Sequence, residues 1–293
     1  MPKAQKLIRR TFKVSYASVI YHYLFNRDYP LRLTNGDKRI FLKKNAAFSA
    51  FSLARLISNG WVILSINEGY LTMKSKDEVV VTCRTYEGND IGHLCEIYLE
   101  KAYELDLIGK NVIDVGMSNG DSVIYFAKEG AKRVMGIEPD KKSYNLALKN
   151  IQDSKVNDKV VSLNKALATK NEKVKLFVYD SSPNANSIDQ QHMVKLNDTF
   201  HEETIEGIRL KDLIDLFEGE QIGLLKLDCE GCEYMVLNDL DQVTYSKIDE
   251  IYMEYHHGLQ NLHEVLENNG FGIQVPESNQ AMGGYVRAKR KNI

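Results

Sequence analysis

Residues 111–122, Asn-Val-Ile-Asp-Val-Gly-Met-Ser-Asn-Gly-Asp-Ser, constrain what this chain folds into more than any other stretch. A short apolar run turns at one glycine and again at a second, then opens into an apolar-patterned segment over 123–127 that closes at Gly130. The pattern predicts strand, loop and helix, as in open α/β sheets, which bind ligands at the carboxyl ends of their strands. Gly116 and Gly120 permit sharp turns and close backbone approach, and Asp121 or Ser122 is expected to cap the helix. A dinucleotide fold asks for G-x-G-x-x-G, whose glycines seat a pyrophosphate on the helix N-terminus. Here the spacing is G-x-x-x-G, and Asp114 stands inside the strand. That arrangement disfavours a nicotinamide oxidoreductase and suits a nucleoside cofactor that carries a cation.

A second short apolar run, 133–137, ends in Glu138. A carboxylate at the tip of the second strand accepts both hydroxyls of a ribose, so Glu138 is the ribose candidate. Asp114 and Glu138, with the glycine loop between them, resemble the class I S-adenosylmethionine-dependent methyltransferases. Ser118, Asn119 and Asp121 complete the candidate cofactor loop. A helix over 144–151 and a third strand over 159–167 follow, and Asn164 near that strand's end is a candidate for the adenine, since an amide offers both donor and acceptor.

The second constellation is Leu225-Lys226-Leu227-Asp228-Cys229-Glu230-Gly231-Cys232-Glu233-Tyr234. Three acids gathered around a glycine at a strand's carboxyl end are costly unless they meet a cation, a metal or hydrogen-bond donors. The sulfonium and amino group of S-adenosylmethionine are such cations. Cys229-x-x-Cys232 has too few companions for a four-ligand zinc site, and packing and turn chemistry is the default expectation. A fifth strand over 248–258 ends in an acid, Glu254, and two histidines, His256 and His257. His256 is a candidate base, or with Glu254 and Asp228 a cation-holding group; no metal ligand is assigned. The chain closes with an antiparallel pair over 271–275 and 285–290.

Ahead of this core, residues 1–27 hold Lys3, Lys6, Arg9, Arg10, Lys13 and Arg27 and no acid. The aromatic-rich stretch 14–25 is shorter than the roughly 20 apolar residues that span a bilayer. It reads as a packed helix with a solvated basic end, and alternatively as a peripheral membrane or RNA contact. Residues 38–82 predict a strand, a helix over 46–57 and three short strands, a small α+β unit. The domain division is therefore expected as 1–82, accessory, and 83–293, cofactor-binding. A helix over 91–107, capped by Asp90, leads into the core, and an insertion over 172–211 carries two added strands over the active-site face. With 293 residues, net charge −2 and pI near 6.4, the chain has room for a large core and no global attraction to nucleic acid. DNA is not an expected partner. Four cysteines without a secreted pattern, and no cleavable signal, predict a cytoplasmic protein with reduced thiols.

Val-Ile-Asp-Val-Gly-x-x-x-Gly-Asp-Ser at 112–122, Ile-Glu-Pro at 137–139 and Lys-Leu-Asp-Cys-Glu-Gly-Cys-Glu at 226–233 together resemble the FkbM family of methyltransferases, with Glu254-Tyr255-His256 as its fifth-strand ending. The resemblance covers about residues 86–275 and departs from the common family pattern at Met117-Ser118-Asn119. It implies an α/β, Rossmann-like class I sheet of seven strands with the last antiparallel, and S-adenosylmethionine as donor. It also implies O-methylation of a sugar, glycan or related small-molecule hydroxyl. Asp114, Gly116 and Gly120 carry over as cofactor loop, Glu138 as ribose acid, and Asp228 and Glu230 as active-site acids. Asp228 or His256 is the expected base, with Glu230 and Glu254 orienting and Asp228 also facing the cofactor. The competing readings are an RNA or protein methyltransferase that uses the basic N-terminus, and a nucleoside-binding module without turnover.

Overall fold

The computed structural model describes residues 7, 10–12, 29–32, 39–42, 46–86, 88–179, 183–189, 199–275 and 283–291. The basic, aromatic-rich stretch 14–25 lies outside them, as do 180–182 and 190–198 of the insertion expected over 172–211. Among the described residues no helix is long and apolar enough to cross a membrane.

The chain divides into two compact units. The first is Met1–Leu105 with Gln152–Ser154. Here β1 (Tyr29–Arg32) pairs antiparallel with β2 (Arg39–Leu42), followed by α1 (Ala46–Ser58). Next, β3 (Val62–Asn67), β4 (Tyr70–Lys74) and β5 (Val80–Arg84) form an antiparallel sheet. Helix α2 (Asp90–Leu99) packs on α1, with Trp61 and Tyr98 edge to face at 5.3 Å and an Arg55–Glu100 ion pair. These contacts place α2 in the first unit, so the units part after Leu105, later than the division expected after residue 82. The helix is also shorter than expected, because Lys101 at φ 55 turns the chain out of it. Asp90 does not cap it. Its carboxylate instead accepts from the Arg84 backbone N–H, Nε and Nη2 at 2.8, 2.9 and 2.7 Å, a buried pair that competes successfully with the cap.

The second unit, Asp106–Ile151 with Lys155–Ile293, starts with β6 (Asn111–Val115), α3 (Asp121–Lys128), β7 (Arg133–Ile137), α4 (Lys141–Asp153) and β8 (Val160–Leu163). The strand expected over 159–167 breaks there, and β9 (Ala166–Leu167) leaves to pair with an added hairpin, β10 (Lys173–Tyr179) and β11 (Phe200–Ile208). After α5 (Leu210–Asp215) come β12 (Ile222–Leu227), α6 (Cys232–Asp239), α7 (Gln242–Ser246), β13 (Glu250–Tyr255) and α8 (Leu262–Asn268). The chain closes with β14 (Phe271–Gln274) and β15 (Gly284–Arg290).

The main sheet has seven strands in the order β14-β15-β13-β12-β6-β7-β8, and β15 alone runs against its neighbours. This is the seven-stranded, Rossmann-like sheet, its last strand antiparallel, that the family resemblance implies. Strands covered on both faces read as unbroken apolar runs rather than alternating ones, and every residue of β6 and β12 is buried. Ile113, Leu225 and Ile251 lie side by side in three adjacent strands with no exposed surface. Burial of each contributes about 1.5–3 kcal/mol.

Candidate active site

Strand register brings the candidate residues together. Leu227 of β12 lies opposite Val115 of β6 and Met253 of β13, and Val115 lies opposite Ile137 of β7. The next residues, Gly116, Asp228 and Glu138, therefore leave the sheet at one level, and Glu254, still within β13 and opposite Tyr285 of β15, lies level with them. Gly116 is at φ +80, and a Cβ there would stand 1.8 Å from the carbonyl oxygen of Asp228. The close approach that demands this glycine is thus between two strand ends of the protein itself.

Asp114, expected to face a cationic cofactor, has no exposed surface and meets a cation of the chain. Its carboxylate accepts from Ser122 Oγ at 2.5 Å and pairs with the Lys226 ammonium at 2.9 Å. That ammonium also donates to the Gly116 carbonyl at 3.0 Å and stands 3.5 Å from Asp228. Burial alone would strip its proton, but the charges of Asp114 and Asp228 outweigh burial and raise its pKa. The motif that contains Lys226 predicts no role for it. A lysine inside an otherwise apolar strand, Leu-Leu-Lys-Leu, is the signal for a buried cation that requires acids.

In the glycine loop between β6 and α3, Ser118 sits at φ 44, and its N–H donates to Glu138 Oε2 at 2.9 Å. The other oxygen of Glu138 accepts from Asp140 N at 2.8 Å, so the carboxylate is held at the tip of β7 by backbone donors. Asn164 donates through Nδ2 to the carbonyls of Glu138 and Pro139, 2.9 and 2.8 Å, which fixes the Glu138 turn. Asn119 is 1% exposed, and its Nδ2 has no partner among the described residues. The cap of α3 is Gly120 at φ 85, with no side-chain bond. Asp121 is instead the acid of the first helical turn, accepting from Ser122 N at 2.8 Å, so neither expected residue caps the helix.

Beyond Asp228, Glu230 adopts φ 55 and places Oε2 3.1 Å from His256 Nε2. Glu233, fully buried, lies 3.6 Å from His256 Nδ1 and accepts from the Cys229 and Gly231 N–H groups at 3.2 and 2.8 Å. Glu254 Oε1 stands 3.8 Å from His256 Nε2. Burial would lower the His256 pKa, but hydrogen bonding to Glu233 and the charges of Glu230, Glu233 and Glu254 push it up to about 9. Burial, followed by the charges of Asp228 and Glu230, pushes the Glu254 carboxyl up to about 8. Asp228, Glu254 and His256 each present one donor atom within 4.8 Å of the others. Tyr234 ties the ends of β12 and β13 together: its hydroxyl accepts from His256 N and His257 N at 3.2 and 2.8 Å and donates to Gly258 O at 2.9 Å.

One further finding departs from the sequence reading, and a second agrees with the insertion expected over the active-site face. Cys229 and Cys232 form a disulfide, whereas reduced thiols were expected; Cys83 and Cys95 are buried and stay as thiols. Residues 183–189, between the added strands, reach both loops: Ser187 Oγ donates to the Glu230 carbonyl at 2.5 Å, and Asn184 Nδ2 lies 3.5 Å from Ser118 Oγ. Partners 43 and 66 positions apart leave no local signal.

The family model described as the methyltransferase FkbM domain matches residues 114–272. The chain belongs to the FkbM methyltransferase family. A relative called Methyltransferase 1, from Beauveria bassiana strain ARSEF 2860, is 24% identical over 200 residues, covering 61% of this chain and 80% of that protein. The FkbM methyltransferase structure from Methylobacillus flagellatus KT is 12% identical with a TM-score of 0.45, over 84% of this chain and 56% of that one. A magnesium protoporphyrin IX methyltransferase from Synechocystis PCC 6803, with S-adenosylmethionine bound, is 14% identical with a TM-score of 0.37, over 69% of this chain and 81% of that one.

The FkbM chain's residues fit the methyl donor such a family implies. The Asn119 Nδ2 is a buried donor that the protein leaves without a partner among the described residues, as a ligand-facing group does. Glu138 closes the same loop, and the carboxylates of Asp114, Asp228, Glu230 and Glu233 outnumber Lys226 and His256, the cations paired with them among the described residues. A cationic ligand complements that excess.

Proposed function

We propose that this FkbM enzyme methylates a hydroxyl oxygen of a sugar, glycan or related small molecule, with the second compact unit as its catalytic part. S-adenosylmethionine, when bound, supplies an electrophilic methyl group. The observation that carries the reading is the carboxylate cluster of Asp228, Glu230 and Glu254 around His256, level with the cofactor loop. A hydroxyl attacks well only as its proton leaves, and carboxylates both orient hydroxyl groups and accept that proton.

Within the cluster the roles separate. His256, with its pKa near 9, holds its proton at neutral pH and stays paired with Glu230, so it orients rather than abstracts. Glu254, near 8, keeps its proton for much of the time. Asp228, ion-paired with Lys226 and partly open to solvent, takes the acceptor's proton on a carboxylate oxygen. Alignment of acceptor and donor in such a site contributes on the order of 7–11 kcal/mol.

The test is incubation with tritiated methyl donor and a panel of saccharides, nucleic acids and proteins. The reading expects label in a base-stable methyl ether of a saccharide or related hydroxyl compound. Label confined to RNA or to protein would overturn it.

A further inference from the structure

We propose that Cys229 and Cys232 are a reversible thiol–disulfide pair that locks the loop presenting Asp228 and Glu230. The importance of that loop rests on the functional reading above, whereas the thiol chemistry does not. The bond closes a ring around Glu230 and Gly231, at φ 55 and 112. The left-handed region is unfavourable for a side chain like that of Glu230, and its conformation aims the carboxylate at His256. The cross-link restricts the loop to that conformation. Glu233, through Cys229 N and Gly231 N, and Ser187, through the Glu230 carbonyl, hold the loop in either redox state. Reduction therefore loosens the loop without releasing it.

The two sulfurs differ in access. Cys229 is half-buried, whereas Cys232, the first residue of α6, is buried. In oxidation the Cys229 thiolate attacks a disulfide of the oxidised-glutathione class and expels one thiolate, forming a mixed disulfide. The Cys232 thiolate then attacks the Cys229 sulfur and expels the second glutathione thiolate. The two cysteines lose two electrons and two protons, and the external disulfide is reduced to two thiols. Reduction by a dithiol reverses the sequence. Cys83 and Cys95 stand outside this exchange, since both are buried and burial pushes the Cys95 thiol up, away from thiolate. A disulfide in a thiol-buffered compartment is usually transient or redox-sensing, which is the behaviour proposed here.

The test poises the full chain in glutathione buffers of graded ratio, traps thiols by alkylation and maps them by mass spectrometry. Amide hydrogen exchange over 228–234 and S-adenosylhomocysteine binding are followed in parallel. The proposal expects Cys229 and Cys232 to convert together. Exchange of that segment should quicken roughly fivefold on reduction, and the C229S/C232S double variant should exchange at the faster rate in every buffer. Both thiols remaining alkylatable at the most oxidising poise would overturn it, as would exchange rates equal in the two states. Persistent S-adenosylhomocysteine binding with no redox response in the loop sinks this proposal alone. Loss of binding in both states sinks the functional reading and leaves the thiol chemistry standing.

Discussion

Lys226→Met lowers the stability of the second unit by about 3–5 kcal/mol, the cost of breaking a buried ion pair by removing one partner. Methionine fills nearly the same volume, so the loss isolates the charge. Without the ammonium, Asp114 remains fully buried with only Ser122 bonded to its carboxylate, and Asp228 and the Gly116 carbonyl lose the cation between them. The melting temperature should fall by roughly 10 °C. Asp114→Asn combined with Lys226→Met removes both charges and should recover much of the loss, because the amide still meets Ser122. Calorimetric unfolding of the single and double variants checks this. A single variant within about 1 kcal/mol of wild type, small beside the expected loss, would show that the pair does not hold the two strand ends together.

Asp228→Asn lowers methyl transfer by about 10²–10⁴-fold, the usual contribution of a positioned base. The asparagine keeps the shape of the side chain and a hydrogen-bonding oxygen near Lys226, so the β6 and β12 strand ends stay in register. Cofactor affinity should weaken far less than turnover. Rates on the labelled acceptor, compared with S-adenosylhomocysteine binding by the same variant, separate the two effects. Turnover within a few-fold of wild type would remove Asp228 from proton transfer and return the role to His256, the other expected base.

Much of this arrangement was legible before any coordinates. Unbroken apolar runs marked the central parallel strands, and an acid or glycine closing such a run marked the ends that now lie level, Gly116, Glu138 and Asp228, with Glu254 beside them inside β13. What local pattern does not carry is the choice of partner. Asp90 and Asp121 have the composition of caps, yet the first is taken by Arg84 and the second lies inside the helix. Asp114 advertised a cation, and the cation proved to be Lys226, 112 positions later in the chain but one strand away. The contact of Ser187 with Glu230 follows from an inserted segment whose path no periodicity encodes. The Cys229–Cys232 bond was within reach of the spacing, but a compartment argument had set it aside.

The central claim is that the loop closed by Glu138 holds the nucleoside of a methyl donor. Calorimetric titration of S-adenosylhomocysteine and, separately, NAD into wild type and Glu138→Ala tests it most directly. The account predicts that S-adenosylhomocysteine binds the wild type and NAD does not. It also predicts that Glu138→Ala weakens binding by roughly 10- to 100-fold, the worth of charged hydrogen bonds to a ribose. No binding of S-adenosylhomocysteine, a preference for NAD, or an unchanged affinity in Glu138→Ala would contradict it.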